Sequence, residues 1–228
     1  MSTVHFKPAI FTFLKDLKAN NTREWFQANK ARYEQEVREP ALAFITDFAT
    51  HLEAISTYFR ADPRPVGGSL FRIHRDVRFS KDKSPYKTHA GLHFRHKAGK
   101  SAHTPGFYLH LEPGGCFVGV GIWRPDGPTL RTIREHIAEH PEAWRDAVEN
   151  PAFSESFVVD GDRLKRPPKG FDANHELIEV LKLKDFTAMR RLRQREITSR
   201  GFIDDFATMC KSGGSLVELL CTAVEQPF

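Results

Sequence analysis

The sequence predicts an α+β fold, with an antiparallel sheet in the middle third flanked by N-terminal and C-terminal helices. Three observations carry this prediction. Apolar residues recur at helical spacing up to Ile55, alternate between Phe71 and Trp123, and return to helical spacing after Asp126. Helices gathered at both ends of an antiparallel meander indicate α+β and not a βαβ wrap. The chain has 228 residues, 40% of them hydrophobic and 28% charged, which fits one domain spanning 1–228. Nineteen phenylalanines predict an aromatic core, because Phe buries a large area without needing a hydrogen-bond partner.

The elements follow in order. Phe6, Ile10, Phe11, Phe13, Leu14 and Leu17 form the stripe of a first helix, which Asn20 and Asn21 end. Asn21 with Glu24 three residues on has the pattern of a capping box for a second helix. Trp25, Phe26, Tyr33 and Val37 share its face, and Pro40 is expected to break or restart the helix before Leu42, Ile45, Phe48 and Leu52. Residues 62–68 read as a loop from their Pro and Gly content. Phe71, Ile73, Val77 and Phe79 alternate like a strand, with Arg75 interrupting the apolar face, so Arg75 is expected to point inward. Leu92 with Phe94, then Phe107, Leu109 and Leu111, mark two further strands. Residues 112–115 read as a hairpin turn, and Cys116, Val118, Val120 and Ile122 return. Gly119 and Gly121 on the other face are expected to let something approach the backbone. Asp126 or Gly127 caps the next helix, with Pro128 in its first turn. A polar loop (160–169), a short helix near Leu177, a strand from Phe186 and two closing helices split by 212–215 complete the chain.

The most informative segment is 72–87. Residues 71–100 carry nine Lys or Arg against two Asp or Glu, although the whole chain is only +5, so everything outside that stretch is slightly acidic. Concentrated positive charge marks a site for something negative. Arg grips planar anions through paired donors, and Ser80, Ser84 and Tyr86 add hydroxyls. Arg72, Arg75, Arg78, Lys83, Tyr86 and Lys87 are therefore the candidate ligand-binding residues. Asp76 and Asp82 are the candidate acid/base carboxylates, and they can equally neutralise the arginines.

The pattern formed by Arg72, Arg75, Asp76, Arg78, Phe79, Asp82, Lys83 and Tyr86 resembles the signature of a bacterial family of unknown function, whose domain also occurs inside longer fungal proteins. Residues 20–26 resemble that family's N-terminal block, and the glycine-bearing stretch before Pro125 resembles its Trp-x-Pro strand end. The resemblance covers nearly the whole chain. It implies membership and no reaction.

Other constellations are weaker. His136 and His140 match the H-x-x-E-H spacing of inverted zinc peptidases, but Pro141 ends the helix at that point. His89 and His93 would share a strand face, with His103 or His110 within reach. A metal site needs three converging ligands, so these histidines are read as solvated or hydrogen-bonded and no metal is predicted. Arg190, Arg191, Arg193, Arg195 and Arg200 form a second basic run. Three cysteines without a C-x-x-C pair argue against a disulfide framework, and Cys116 reads as an inert strand thiol. No phosphate-loop, nucleophile-elbow or dinucleotide motif is present, and the cofactor is unknown from the sequence. With no signal region and no membrane-length apolar run, the expected compartment is the cytoplasm. The functional expectation is a cationic site for a phosphate- or carboxylate-bearing ligand. The alternatives are a nucleic-acid-binding module using the same face, or a structural or interaction domain whose Arg–Asp cluster holds the fold. Whether the site is catalytic stays open.

Overall fold

A computed structural model describes residues 3–99 and 103–228. The N-terminal third is helical: α1 (Ala9–Ala19), α2 (Arg23–Ala28), α3 (Lys30–Tyr33), a π-helical turn (Glu34–Arg38) and α4 (Glu39–Ile55). α1 buries Ile10, Phe11, Phe13, Leu14 and Leu17, the expected stripe except for Phe6, which is buried but precedes the helix. α2 is capped by Thr22, whose hydroxyl accepts from the Trp25 amide at 3.2 Å. The cap thus lies one residue after the Asn21 that the capping-box pattern suggested, and Asn21 is used elsewhere. Pro40 does not end the helix. The chain widens into the π-turn just before it, and Pro40 lies in the first turn of α4, where a missing amide proton costs no hydrogen bond.

Five antiparallel strands follow: β1 (Ala90–Arg95), β2 (Gly106–Leu111), β3 (Phe117–Ile122), β4 (Val158–Asp160) and β5 (Phe186–Arg191), in the order β1-β2-β3-β5-β4. Helices α5 (Gly127–Glu139), α6 (Pro141–Glu149) and α7 (Pro151–Ser154) precede β4, and α8 (Ile178–Leu181) precedes β5. Helices α9 (Gln194–Ile197), α10 (Phe202–Ser212) and α11 (Gly214–Ala223) close the chain. Asp126 caps α5 by accepting from the Thr129 amide, as its position predicted. The sequence pattern does not predict β4, α7 or α9, each of which is too short to show a period.

The strand register separates two faces. Ala90, Leu92 and Phe94 lie opposite Leu111, Leu109 and Phe107, and Val118 and Val120 continue the row. All are buried. Phe48 of α4 packs on Phe94 at 4.7 Å and on Phe206 of α10 at 4.8 Å, so these helices cover this face. Burying each such ring contributes on the order of 2–3 kcal/mol. The opposite face carries Gly91, His93, Tyr108, His110, Phe117 and Gly119.

Two expectations about the sheet are corrected. Residues 71–79 form no regular strand. Phe71 donates to the Gly91 carbonyl and Ser69 accepts from His93, so the chain borders β1 only briefly. Ile73 is buried, but Phe79 is 96% exposed, so the apparent alternation joins residues on different surfaces. Nor does Gly121 of β3 admit an outside group, whereas Gly119 leaves ordinary van der Waals room beside Phe117 and Tyr108. At Gly121, φ is +112°, and a Cβ there would collide with the Phe186 carbonyl oxygen of β5; what approaches the backbone is the sheet itself.

Candidate functional site

Residues 72–87 fold as a narrow ribbon. The Arg75 amide donates to the Pro85 carbonyl at 2.9 Å and the Lys87 amide donates to the Ile73 carbonyl at 2.7 Å, with His74 opposite Tyr86. The tip beyond this pairing is polar and ties itself together. Arg78 forms a fork on Asp76 at 3.0 and 2.7 Å, and Arg75 ion-pairs with Asp82. Ser84 donates to Asp82 from both its amide (2.9 Å) and its hydroxyl (2.6 Å). The Lys83 ammonium donates to the Val77 carbonyl at 2.9 Å and so closes the loop. The Arg78 guanidinium and amide hold the Asp76 carboxyl at about 2. Ser84 first and Arg75 second push Asp82 lower still. Both carboxylates stay ionised through the neutral range, where so weak a base moves protons poorly.

The base of the ribbon is anchored to α2. The Asn21 side chain donates to the Tyr86 carbonyl at 2.9 Å and accepts from the Tyr86 amide at 3.1 Å. The Tyr86 ring stacks on Phe26 at 4.1 Å. A groove of about 440 Å³ lies between them, lined by Arg23, Gln27, His74, Arg75, Val77, Pro85 and Tyr86. No carboxylate is among its lining residues. Arg75 reaches it half-buried, with 28% of its side chain exposed, and is not a core residue. The inward reading of Arg75 is thus only partly met: the side chain spans the ribbon to Asp82 instead of entering the hydrophobic interior. Arg23 makes no ion pair among the described residues, so its charge is uncompensated.

Of the eight residues singled out by the sequence, Arg75 and Tyr86 line this groove. Asp82 holds Arg75 from outside. Arg78 and Asp76 pair with each other in solvent, and Lys83 is engaged with backbone carbonyls. Lys87 turns toward the open sheet face, donating to the Arg72 carbonyl at 3.0 Å with its ammonium 5.3 Å from the Phe71 ring centroid. Burial, and then the nearby Arg72, make Lys87 less basic than a free lysine. Arg23 was not singled out, although it belongs to the N-terminal block that carried the resemblance.

The open sheet face holds a second constellation. Tyr108, His110 and Glu112 alternate along β2 and its hairpin, with Leu109 and Leu111 turned into the core. The Tyr108 hydroxyl lies 3.0 Å from His110 Nδ1, and His110 Nε2 lies 3.3 Å from Glu112 Oε2. The ring of His89 packs at 4.3 Å on that of His110, and Phe117 stacks on its other side at 4.6 Å. Burial, with help from His110 and Lys87, lowers His89 to about 4, and burial also lowers His110, so both rings are neutral near pH 7. His93 lies further along the same face, but its contacts are Phe71 and Tyr108. His103 instead meets the Trp123 carbonyl at 2.9 Å. The pattern Tyr-x-His-x-Glu was readable once the leucines were assigned inward.

His136 and His140 approach ring to ring at 5.0 Å, with His140 just outside α5 and Pro141 opening α6. In the second basic run Arg191 lies opposite Phe117, which lies opposite His110 and then Gly91. It is therefore three strands, roughly 15 Å, from β1 on the same face. Cys116 is buried and donates to the Glu112 carbonyl, and burial raises its thiol. Among the described residues no helix is long and apolar enough to cross a membrane.

The model of the DUF2461 family of conserved hypothetical proteins matches residues 9–218, and the chain belongs to that family. No curated protein matches the sequence.

Proposed function

We propose that this member of the family binds a small phosphate- or carboxylate-bearing molecule in the groove between α2 and the 72–87 ribbon. The observation that carries this reading is the groove's lining: two guanidiniums, Arg23 and Arg75, with His74 and Tyr86 and no carboxylate. Two of the three segments by which the sequence resembles the family also meet here, through Asn21 and Phe26 on Tyr86. In this reading Arg23 and Arg75 grip the anion, Tyr86 supplies a hydroxyl, and Arg72, Arg78 and Lys87 raise the local potential. Lys83, Asp76 and Asp82 hold the ribbon and keep Arg75 extended. The continuous hydrophobic core supports a single folding unit, and a metabolite ligand fits a cytoplasmic location.

A thermal-shift panel of phosphorylated and carboxylated metabolites, followed by calorimetry on the hits, tests the proposal. Arg23→Ala and Arg75→Ala should each weaken binding at least tenfold, since one charged hydrogen bond contributes about 1.5–3 kcal/mol. Absence of any anion ligand, or binding indifferent to both variants, would refute it. A second reading rests on Phe79, exposed at the ribbon tip with the Arg78 guanidinium 5.8 Å from its ring centroid. Such a pair can stack on a nucleic-acid base. That reading requires affinity for single strands that falls steeply with salt and with Phe79→Ala. If Arg75→Ala unfolds the protein outright, the cluster is a structural lock.

A further inference from the structure

The geometry points to a divalent transition-metal site of the zinc type on the open face of the sheet, with His89, His110 and Glu112 as its three protein ligands. One ligand atom from each lies within 4.8 Å of the other two. Two neutral imidazoles and a carboxylate are a donor set suited to zinc, and three protein ligands leave a coordination position open.

The placement follows from the strands. Leu109 and Leu111 face the core, so His110 and Glu112 face outward. The pairing of Ala90 with Leu111 brings His89, one residue before β1, beside Glu112. His110 is already held in a ligand's orientation. With an ion bound its proton would sit on Nδ1 and be donated to the Tyr108 hydroxyl oxygen, freeing for the metal the Nε2 that otherwise hydrogen-bonds Glu112. That is the outer-shell arrangement which fixes the tautomer of a metal-bound histidine. The 3.3 Å between Nε2 and Oε2 also equals the separation, about 3.3 Å, of two tetrahedral ligand atoms each 2.0–2.1 Å from one ion. Gly91, opposite His110, makes this possible, because a Cβ there would collide with the Tyr108 hydroxyl. Phe117 fixes the outer side of the His110 ring.

His89 must close the remaining gap by turning its ring. It makes no hydrogen bond among the described residues, so the turn breaks none. Charges of both signs set the strength of the site. Glu112 attracts the ion, whereas Lys87 and Arg75 act on His89 through space and oppose it. The same cations favour an oxygen anion or hydroxide in the open position. None of its three ligands lines the groove at Arg23.

Chelator-stripped protein titrated with Zn²⁺ alone, by calorimetry, should take up one ion per chain. Cobalt substituted at the site should give the visible absorption of a four- or five-coordinate ion. His89→Ala and Glu112→Gln should weaken binding at least tenfold, His110→Ala should abolish it, and Tyr108→Phe should weaken it ten- to a hundredfold. Arg23→Ala should bind zinc like the wild type even where anion binding is lost. The rival location is the His136–His140 pair. Removing both histidines should leave the stoichiometric site intact. No uptake at one equivalent, undiminished uptake in His89→Ala and His110→Ala, or loss only in the His136→Ala, His140→Ala protein would each overturn the assignment. His89 and Glu112 are partly exposed, so melting curves of their apo variants should stay near wild type and separate ligand loss from misfolding.

Discussion

His93 should make this protein acid-labile, by an amount the structure allows to be worked out. Its imidazole is 7% exposed on the open face, between Phe71 and Tyr108, and Nδ1 finds no hydrogen-bond partner among the described residues. Burial first, and the nearby Arg95 second, lower it from the ordinary histidine value to about 4. The folded state therefore keeps the ring neutral where the unfolded chain already protonates it. Above pH 6.5 both states are neutral and His93 adds no pH dependence. Between 6.5 and about 4 the unfolded state binds the extra proton, and stability falls as pH falls. One proton costs about 1.4 kcal/mol per pH unit, so up to about 3 kcal/mol is lost across that window. The perturbation is His93→Leu, which removes both the titrating group and the unpartnered nitrogen. Urea unfolding followed by fluorescence, with Trp144 buried against Phe186 as reporter, gives stability at pH 7.5, 6, 5 and 4.5. The variant's stability should lie within about 1 kcal/mol of wild type at pH 7.5, where lost ring contacts offset removal of a buried unsatisfied group. Its slope against pH should be shallower by close to one proton. Parallel slopes would refute the reasoning, because they would mean that His93 protonates equally in both states.

Two further perturbations test the framework around the site. Asn21→Ala removes both hydrogen bonds to the Tyr86 backbone and should cost about 1–3 kcal/mol; amide exchange should accelerate in residues 72–87 ahead of the rest of the chain. Unchanged protection there would mean that Asn21 does not anchor the ribbon. Gly121→Ala places a Cβ against the Phe186 carbonyl at a positive φ and should cost about 3 kcal/mol or more, read as a large drop in melting temperature. A variant melting near wild type would show that β3 and β5 can separate at that point.

Much of the fold is legible because one face of each strand has a single fate. Leu92, Phe94, Phe107, Leu109, Val118 and Val120 all enter the same hydrophobic core, so their alternation reports the sheet faithfully. Residues 71–79 misled for the converse reason. Ile73 is buried against the body while Phe79 stands in solvent on the ribbon tip, and a period counted across both describes no single surface. Asn21 shows a second limit. Its spacing to Glu24 suits a cap, yet the hydrogen bonds it makes are with Tyr86, 65 residues away, and Thr22 takes the cap instead. Local pattern ranks local partners only. Arg23 escaped notice likewise: alone it is one exposed cation on a helix, and it gains meaning only when folding brings Arg75 across from it.

The outward row Tyr108, His110 and Glu112 is the opposite case, set by the core and hence recoverable from it. The 112–115 turn, with Gly114 at φ +80°, pairs Tyr108 with Gly119 and His110 with Phe117. A slip of one residue would exchange the two faces of β2. Leu109 and Leu111 would enter solvent, forfeiting about 1.5–3 kcal/mol each, and the Glu112 carboxylate would enter an aromatic interior where nothing pairs with it. Either cost alone is a large share of the 5–15 kcal/mol by which a domain is typically stable. The leucines therefore do more than pack: by excluding the slipped register they hold His110 and Glu112 on the surface that His89 reaches. Substitutions that loosen this core layer should disturb the outer cluster even though they touch none of its atoms. Leu109→Ala is the sharpest case, because Leu109 lies between Tyr108 and His110 and pairs with Val118. It should weaken zinc uptake in step with the stability it removes, and uptake that stays intact in a destabilised Leu109→Ala protein would show the cluster to be held by its own contacts instead.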